Sequence, residues 1–86
     1  MKYRITFETQ AQEDISNFKK RDEKIFEKIC LLLEAITNDP FHGIGKPEPL
    51  RFELAGYWSR RITREHRMLY KVKGKEIIIF NCKHHY

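Results

Sequence analysis

The last ten residues restrict the fold of this chain more than any other segment. An apolar run at residues 77–80 continues through Asn81 and Cys82 into Lys83-His84-His85-Tyr86, where the sequence stops. Chain termini usually fray unless they are tied into a sheet or docked on the domain. We therefore predict a β-strand that holds the C-terminal tail, with its histidines, at a defined place on a sheet.

The size and composition of the chain predict a single small domain. Its 86 residues suffice for one hydrophobic core, which we expect to span residues 1–86, and leave no room for a separate cofactor domain. Cys30 and Cys82 lie in apolar surroundings, which is typical of reduced core cysteines rather than of a disulfide framework. The chain shows no signal-peptide pattern, and its apolar runs are too short to cross a bilayer. We expect a cytoplasmic protein with no membrane segment.

Positive charge is concentrated in the second half of the chain. The net charge is +5, but residues 8–39 carry eight acidic and five basic residues, whereas residues 40–86 carry ten basic and four acidic ones. Such an asymmetry favours a polyanionic partner, because lysine and arginine gain affinity by displacing the counterions of a phosphate backbone. A basic face that is merely solvated is the alternative.

The first half of the sequence predicts a strand followed by two amphipathic helices. Residues 3–7 alternate between apolar and polar side chains, which is the period of a half-buried strand. A capping box of Thr9 and Gln12 is expected to begin the first helix, Asp22 to cap the second, and Pro40 to end it. The apolar stripes that we expect to pack on a sheet comprise Ala11, Ile15 and Phe18 in the first helix and Ile25, Ile29, Leu32, Leu33 and Ile36 in the second.

The second half predicts a loop and then strands. Two glycines and two prolines shape a loop at residues 41–49, and alternating segments at residues 50–54, 57–63 and 67–72 read as strands before the last one. Arg60 falls on the apolar face of its strand, so we expect it at a sheet edge or paired with a carboxylate. The predicted fold class is therefore α+β: an N-terminal strand and a two-helix hairpin packed on one face of a twisted, mainly antiparallel sheet.

The alternation of the last strand separates its side chains into two faces. If the helices cover one face, the other face is free to be polar. A single β-bulge would reverse this assignment locally. The polar set comprises Asn81, Lys83 and His85, together with Arg61 and Arg67; the set that faces the helices comprises Ile78, Phe80, Cys82 and His84.

The polar face offers the parts that RNA cleavage needs. RNA carries its own nucleophile, the ribose 2′-hydroxyl, so a protein must add only a base, a cation for the phosphorane and an acid for the leaving oxygen. Glu48, Arg67 and His85 are one candidate for each role. We predict neither a metal site nor a cofactor, because His84 and His85 point to opposite faces of a strand and no phosphate-cradling or dinucleotide motif is present.

Four segments resemble one toxin family. Residues 43–50 (Gly-Ile-Gly-Lys-Pro-Glu-Pro-Leu), 56–63 (Gly-Tyr-Trp-Ser-Arg-Arg-Ile-Thr), 65–67 (Glu-His-Arg) and 85–86 (His-Tyr) are similar to the YoeB (Txe) family of the RelE/ParE toxin–antitoxin superfamily. The resemblance covers essentially the whole chain. It implies a RelE-like fold and a ribosome-dependent endoribonuclease that cuts messenger RNA in the A site of the 70S ribosome. It also implies inhibition by a cognate YefM/Phd-like antitoxin, and leaves open whether the toxin forms a homodimer.

The resemblance assigns roles to individual residues. It implies that Glu48 is the general base, that Arg67 holds the scissile phosphate, that His85 is the general acid, and that Tyr86 orients the RNA or stacks on a base. The RNA-binding positions of the family fall on Lys46 and Arg61.

The tail departs from the family pattern at two positions. His84 stands where an aromatic residue such as tyrosine is expected, which concerns packing more than chemistry. Lys83 replaces an arginine, so this third RNA-binding candidate keeps the charge but loses the bidentate fork that grips phosphate.

Two rival functions belong to other classes. A non-enzymatic ParE-like toxin would inhibit DNA gyrase by binding, and would not need a base, an arginine and an acid together. A plain RNA-binding module would explain the basic face but not the histidine-bearing terminus.

Overall fold

Five strands and two helices form the structure, a computed structural model that describes residues 2–85. In chain order they are β1 (Arg4–Phe7), α1 (Thr9–Arg21), α2 (Glu23–Asn38), β2 (Glu48–Pro49), a short 3-10 turn (Phe52–Leu54), β3 (Tyr57–Arg61), β4 (Arg67–Lys73) and β5 (Glu76–His84).

The strands form one sheet in the order β1-β5-β4-β3-β2. β1 runs parallel to β5, and the other three pairs are antiparallel. The longest strand, β5, is therefore flanked on both sides, which ties the C-terminal segment into the sheet as predicted. The predicted α+β class, with a mainly antiparallel sheet, is confirmed.

The helix hairpin packs its apolar stripes into a single core. Ala11 and Phe18 of α1 and Ile29, Leu32 and Ile36 of α2 are buried together with side chains from β4 and β5. This confirms both predicted stripes, since apolar residues at helical spacing gain free energy by leaving water together. Within residues 2–85, no helix is long and apolar enough to cross a membrane.

The helix ends agree with the sequence at two points and differ at one. Asp22 caps α2 by accepting a hydrogen bond from the Ile25 N–H (3.2 Å), and α2 ends at Asn38, ahead of Pro40. The capping box predicted for Thr9 and Gln12 is wrong. Thr9 is already helical, because the N-cap position falls on Glu8, directly after β1 ends at Phe7. The Gln12 side chain donates instead to the Phe7 carbonyl (3.1 Å).

The strand predicted at residues 50–54 is also wrong. β2 is limited to Glu48–Pro49, and the chain then enters a 3-10 turn in which Phe52 has a φ of 59°. That left-handed conformation turns the backbone out of the extended path. As a result Leu50 is buried whereas Phe52 is exposed, although residues two apart would face the same side of a regular strand.

The face assignment along β5 needs correction. Ile77, Ile79 and Cys82 are fully buried in the core, whereas Ile78 and Phe80 are half-buried outside it, so the prediction holds for Cys82 and fails for Ile78 and Phe80. The cause is two register shifts in the pairing of β5 with β4, between positions 67 and 70 of β4. Each extra residue reverses the alternation that follows it.

Arg60 is fully buried, which contradicts its predicted place at a sheet edge or beside a carboxylate. Its guanidinium donates to the backbone carbonyls of Asp39 (2.6 Å), His42 (2.8 Å) and Ile44 (3.0 Å), and its Nε donates to the Tyr70 hydroxyl (3.1 Å). Carbonyl oxygens satisfy a buried cation without a carboxylate. The arginine thus fastens the loop that follows α2 onto β3 and β4.

Tyr70 and Gly45 complete this attachment. Burial raises the pKa of Tyr70, so its hydroxyl stays protonated and donates to the Pro40 carbonyl (2.7 Å). Gly45 has a φ of 84°, and a Cβ there would lie 2.7 Å from Leu32 Cδ2. Only glycine therefore lets the loop lie this close to α2.

We predict that Arg60→Lys destabilises the fold. A lysine ammonium cannot reproduce the planar fork that reaches three carbonyls, so the free energy of unfolding should fall by roughly 3 kcal/mol, on the order of 1 kcal/mol for each carbonyl that loses its donor. Urea unfolding measures this. The exposed Arg21→Lys should change stability by no more than about 0.5 kcal/mol. Equal stability of the two variants would contradict a clamping role for Arg60.

Candidate active site

An ion pair joins two of the predicted catalytic residues. Arg67, at the start of β4, donates from Nη2 to Glu48 Oε1 on β2 at 2.7 Å. The Glu48 side chain is 53% exposed, so its carboxylate is accessible from solvent. The Arg67 side chain is only 14% exposed and is therefore largely buried. The structure thus brings Glu48 and Arg67 into direct contact.

The intervening strand β3 sets the geometry of this pair. Ser59 lies opposite Glu48 in the pairing of β2 with β3, and its hydroxyl accepts a hydrogen bond from Arg67 Nε at 3.0 Å. Two residues further along β3, Arg61 lies directly opposite Arg67. Arg61 and Arg67 therefore share a face, as predicted from strand alternation.

His85 reaches the same region from the end of β5. It lines an open cleft of about 410 Å³ together with Arg61, Arg64, Glu65 and Arg67. Its ring lies 5.4 Å, centroid to centroid, from the ring of His66. The cleft is thus lined by one histidine, three arginines and one glutamate, and Arg67 connects it to Glu48.

The predicted RNA-binding lysines occupy different places. Lys46 is exposed and follows Gly45, whose carbonyl accepts the Arg61 N–H at 2.6 Å, so its backbone lies beside the end of β3. Lys83 is exposed too, but its ammonium lies 5.3 Å from the centroid of the Phe18 ring on α1, and it does not line the cleft. Tyr86, the fourth predicted catalytic residue, lies outside the described residues.

Sequence reasoning missed several residues of this region. Arg64 and Glu65 read as a mere connection between strands, yet both line the cleft. Ser59 was recognisable only as a neighbour of Arg61 on the polar face of β3. The His66 ring lies 5.3 Å from the Phe18 ring and 5.4 Å from the His85 ring, centroid to centroid, and no sequence pattern predicts these contacts.

The arrangement suits an anion better than a cation. Arg61 and Arg67 are like charges directly opposite each other on neighbouring strands, and the Glu48 carboxylate on Arg67 offsets part of their repulsion. Among residues 2–85, no group of three or more histidine, cysteine or carboxylate side chains is placed to hold a metal ion.

His84 lies beside this charge and is half-buried. Burial lowers its pKa, and the nearby Arg67 and His85 lower it further, so the neutral imidazole is favoured. In the pairing of β4 with β5 it stands opposite Arg67. The residue that departs from the expected aromatic is thus an uncharged ring at neutral pH.

Comparison with known proteins identifies the class of this chain. Residues 7–86 match the family model of the YoeB-like toxin of bacterial type II toxin–antitoxin systems. Over 83 residues, which are 96% of each chain, the sequence is 46% identical to the toxin YoeB of Synechocystis.

Solved structures agree with this match over the full length. The YoeB dimer from Staphylococcus aureus superposes with a TM-score of 0.90, and the heterotetrameric YoeB–YefM toxin–antitoxin complex from the same organism with a TM-score of 0.87. Both are 46% identical to this chain and are covered completely, as this chain is by them. The chain is thus similar throughout to toxins of bacterial type II toxin–antitoxin systems. Within that class it belongs to the YoeB-like family, as its motifs predicted.

We predict that His84 makes the fold less stable in mild acid. Because its pKa is lowered in the folded state, the unfolded chain binds the proton more readily. Its contribution to stability is complete above its ordinary pKa of 6.5 and is lost as the pH falls below that value. His84→Tyr should therefore lose less stability than the unmodified protein between about pH 7.5 and about pH 5.5.

Thermal unfolding across that pH range measures the effect. If His84→Tyr and the unmodified protein lose stability in parallel, His84 is not the group responsible.

Proposed function

We propose that this toxin is an endoribonuclease that cleaves messenger RNA in the A site of the 70S ribosome, by general acid–base catalysis without a metal at the chemical step. The observation that carries the proposal is the Glu48–Arg67 ion pair at the edge of a cleft that His85 also lines. In this proposal Glu48 is the base, Arg67 the cation and His85 the acid that act on one phosphodiester.

Each side chain has a defined task in this mechanism. Glu48 takes the proton of the ribose 2′-hydroxyl, and the oxygen attacks the adjacent phosphorus in line. Arg67 stabilises the charge that builds up on the phosphorane oxygens, since it is already aimed by Ser59. His85 gives a proton to the departing 5′-oxygen. The products are a 2′,3′-cyclic phosphate upstream and a 5′-hydroxyl downstream.

The substrate-free geometry is compatible with these roles. The Arg67 guanidinium lies next to the Glu48 carboxylate, so both groups can hydrogen-bond to one ribose-phosphate unit. Catalytic contacts often tighten only when the substrate is bound. From the resemblance to the family, we further propose that Tyr86 orients the RNA.

The cations around the pair supply the affinity for RNA in this proposal. Arg61 lies opposite Arg67, and Lys46 lies two residues before Glu48, on the loop that leads into β2. A phosphate backbone would relieve the repulsion between the two arginines. A ParE-like gyrase inhibitor, the alternative, gives no reason for a carboxylate to pair with an arginine beside a cleft that a histidine lines.

We also propose the partners of this toxin from its relatives. The Staphylococcus aureus YoeB is found as a dimer and in a heterotetramer with YefM. A YefM/Phd-like antitoxin would accordingly hold this chain inactive, and a homodimer would be its state without the antitoxin.

His85→Ala should lower the rate of message cleavage on programmed ribosomes by roughly 100-fold or more, the usual scale for the loss of a general acid. Folding and ribosome binding should be unaffected, because His85 is exposed. His42→Ala, an exposed histidine outside the cleft, should cleave at the normal rate. A message with a 2′-deoxy or 2′-O-methyl sugar at the cut should bind and resist cleavage. Its full cleavage, or a 5′-phosphate on the downstream product, would overturn the mechanism.

Affinity for the programmed ribosome should fall steeply as salt rises. Lys46→Ala and Arg61→Ala should each weaken binding and reduce the slope of log affinity against log salt by about 1. Lys83→Ala should do so less, since its ammonium lies on the Phe18 ring. Lys20→Ala, an exposed lysine of α1, is the control for a general loss of charge. Affinity that does not depend on salt would contradict a phosphate-binding face.

A further inference from the structure

Phe52 is an exposed aromatic residue in a conformation that its side chain disfavours. It is 88% exposed, against 57% for Leu31, the next most exposed large apolar side chain among residues 2–85. Its φ of 59° lies in the left-handed region, where a residue with a Cβ is strained. Neither core packing nor backbone preference therefore explains a phenylalanine at this position.

The segment that presents Phe52 is fixed at both ends. The Leu54 N–H donates to the Arg51 carbonyl at 3.1 Å, and the Ala55 N–H donates to the Phe52 carbonyl at 3.0 Å. Just before the turn, Leu50 is buried and its N–H donates to the Tyr57 carbonyl of β3 at 2.9 Å. The exposed ring thus stands on an anchored turn, so a ligand that packs on it does not have to order the backbone.

This turn also borders the candidate active site. Residues 48–54 line an open groove of about 560 Å³ that begins at Glu48 and includes Arg51 and Phe52. Glu48 is ion-paired to Arg67, which lines the cleft that contains His85. The groove and the cleft therefore meet at the Glu48–Arg67 pair. Phe52 follows Glu48 by four residues, so their Cα atoms are at most about 14 Å apart.

We propose that Phe52 stacks on an unpaired base of the bound message, next to the phosphate that is cut, and that the groove of residues 48–54 holds that nucleotide. The inference rests on the proposed ribonuclease function and assigns its site a base-binding subsite. Every base offers a π-face to an aromatic ring, so such stacking adds affinity and orientation without demanding one sequence.

The position of the groove beside Arg61 and Arg67 favours RNA over a protein as the occupant. A strand whose phosphate lies on Arg67 and Arg61 must pass its flanking nucleotides over the neighbouring surface, and the groove is the apolar part of that surface. Arg51 and Glu53 flank the ring and are both exposed, so the groove itself is nearly neutral. The phosphate affinity comes from Arg61 and Arg67. A phenylalanine kept in a strained, solvent-exposed position is expected where function outweighs stability.

The test uses the full-length toxin and ribosomes programmed with message that carries a 2′-O-methyl sugar at the cut, so that binding is measured without cleavage. Phe52→Ala should weaken binding by about 10-fold, and Phe52→Trp should restore it. Removing one base of the message beside the cut should weaken binding to the unmodified toxin by a similar factor. The abasic message should bind Phe52→Ala only slightly more weakly than the intact message does, because this variant already lacks the ring on which the base would stack.

Two further variants separate stacking from folding. Phe52→Gly relieves the left-handed backbone, so it should unfold at a temperature no lower than the unmodified toxin while it loses the same affinity for message. Leu31→Ala, which removes an exposed apolar side chain from α2, should leave message binding unchanged.

The possible failures can be told apart. Suppose that Arg61→Ala loses binding and His85→Ala loses cleavage, but Phe52→Ala keeps both. Only the stacking inference is then wrong. If none of the three matters, the proposed ribonuclease function falls with it. If Phe52→Ala binds message normally but loses affinity for a YefM-type antitoxin, or changes from dimer to monomer in ultracentrifugation, the groove belongs to a protein partner.

Discussion

The buried guanidinium of Arg60 is the interaction on which the rest of the site depends. Removing a cation from water costs several kcal/mol, and here three backbone carbonyls and the Tyr70 hydroxyl offset that cost. The carbonyls belong to residues 39–44, so the arginine fixes the loop that leads to Lys46 and Glu48. Because side chains alternate along β3, the strand that sends Arg60 inward also sends Ser59 and Arg61 toward the ligand side.

The sequence predicted the elements whose period is carried by many residues and failed where one backbone angle decides. Both helices and the antiparallel strands were predictable, since each rests on several apolar positions in register. The strand expected at residues 50–54 was not formed, because the left-handed φ of Phe52 is invisible in an alternating pattern. Arg60 was misjudged for a related reason: its partners are backbone carbonyls, which any residue carries, so no residue type marks them.

The candidate residues of the site were predictable one by one, but their assembly was not. Glu48, Arg67 and His85 stood out by residue type and motif. That Glu48 touches Arg67 depends on β2 and β4 flanking β3, a topology that short-range periodicity does not encode. The bulges of β5 likewise decide which side chains of the tail face the core, so counting by two placed Ile78 and Phe80 on the wrong face. Lys83 carries the predicted positive charge, but its ammonium lies over the Phe18 ring of α1 and not in the cleft.

The tail is held by a second anchor that is independent of Arg60. Asp14 of α1 is almost fully buried, and its carboxylate accepts the backbone N–H of Cys82 at 2.9 Å. Burial raises the pKa of the Cys82 thiol to about 12, so it stays an uncharged core group beside that carboxylate. The proposed base, Glu48, thus follows the loop after α2 that Arg60 fixes, and the tail that carries the proposed acid is anchored by α1. The helix hairpin therefore does more than cover the sheet, because α1 anchors the tail and the loop that leaves α2 carries the chain to Glu48.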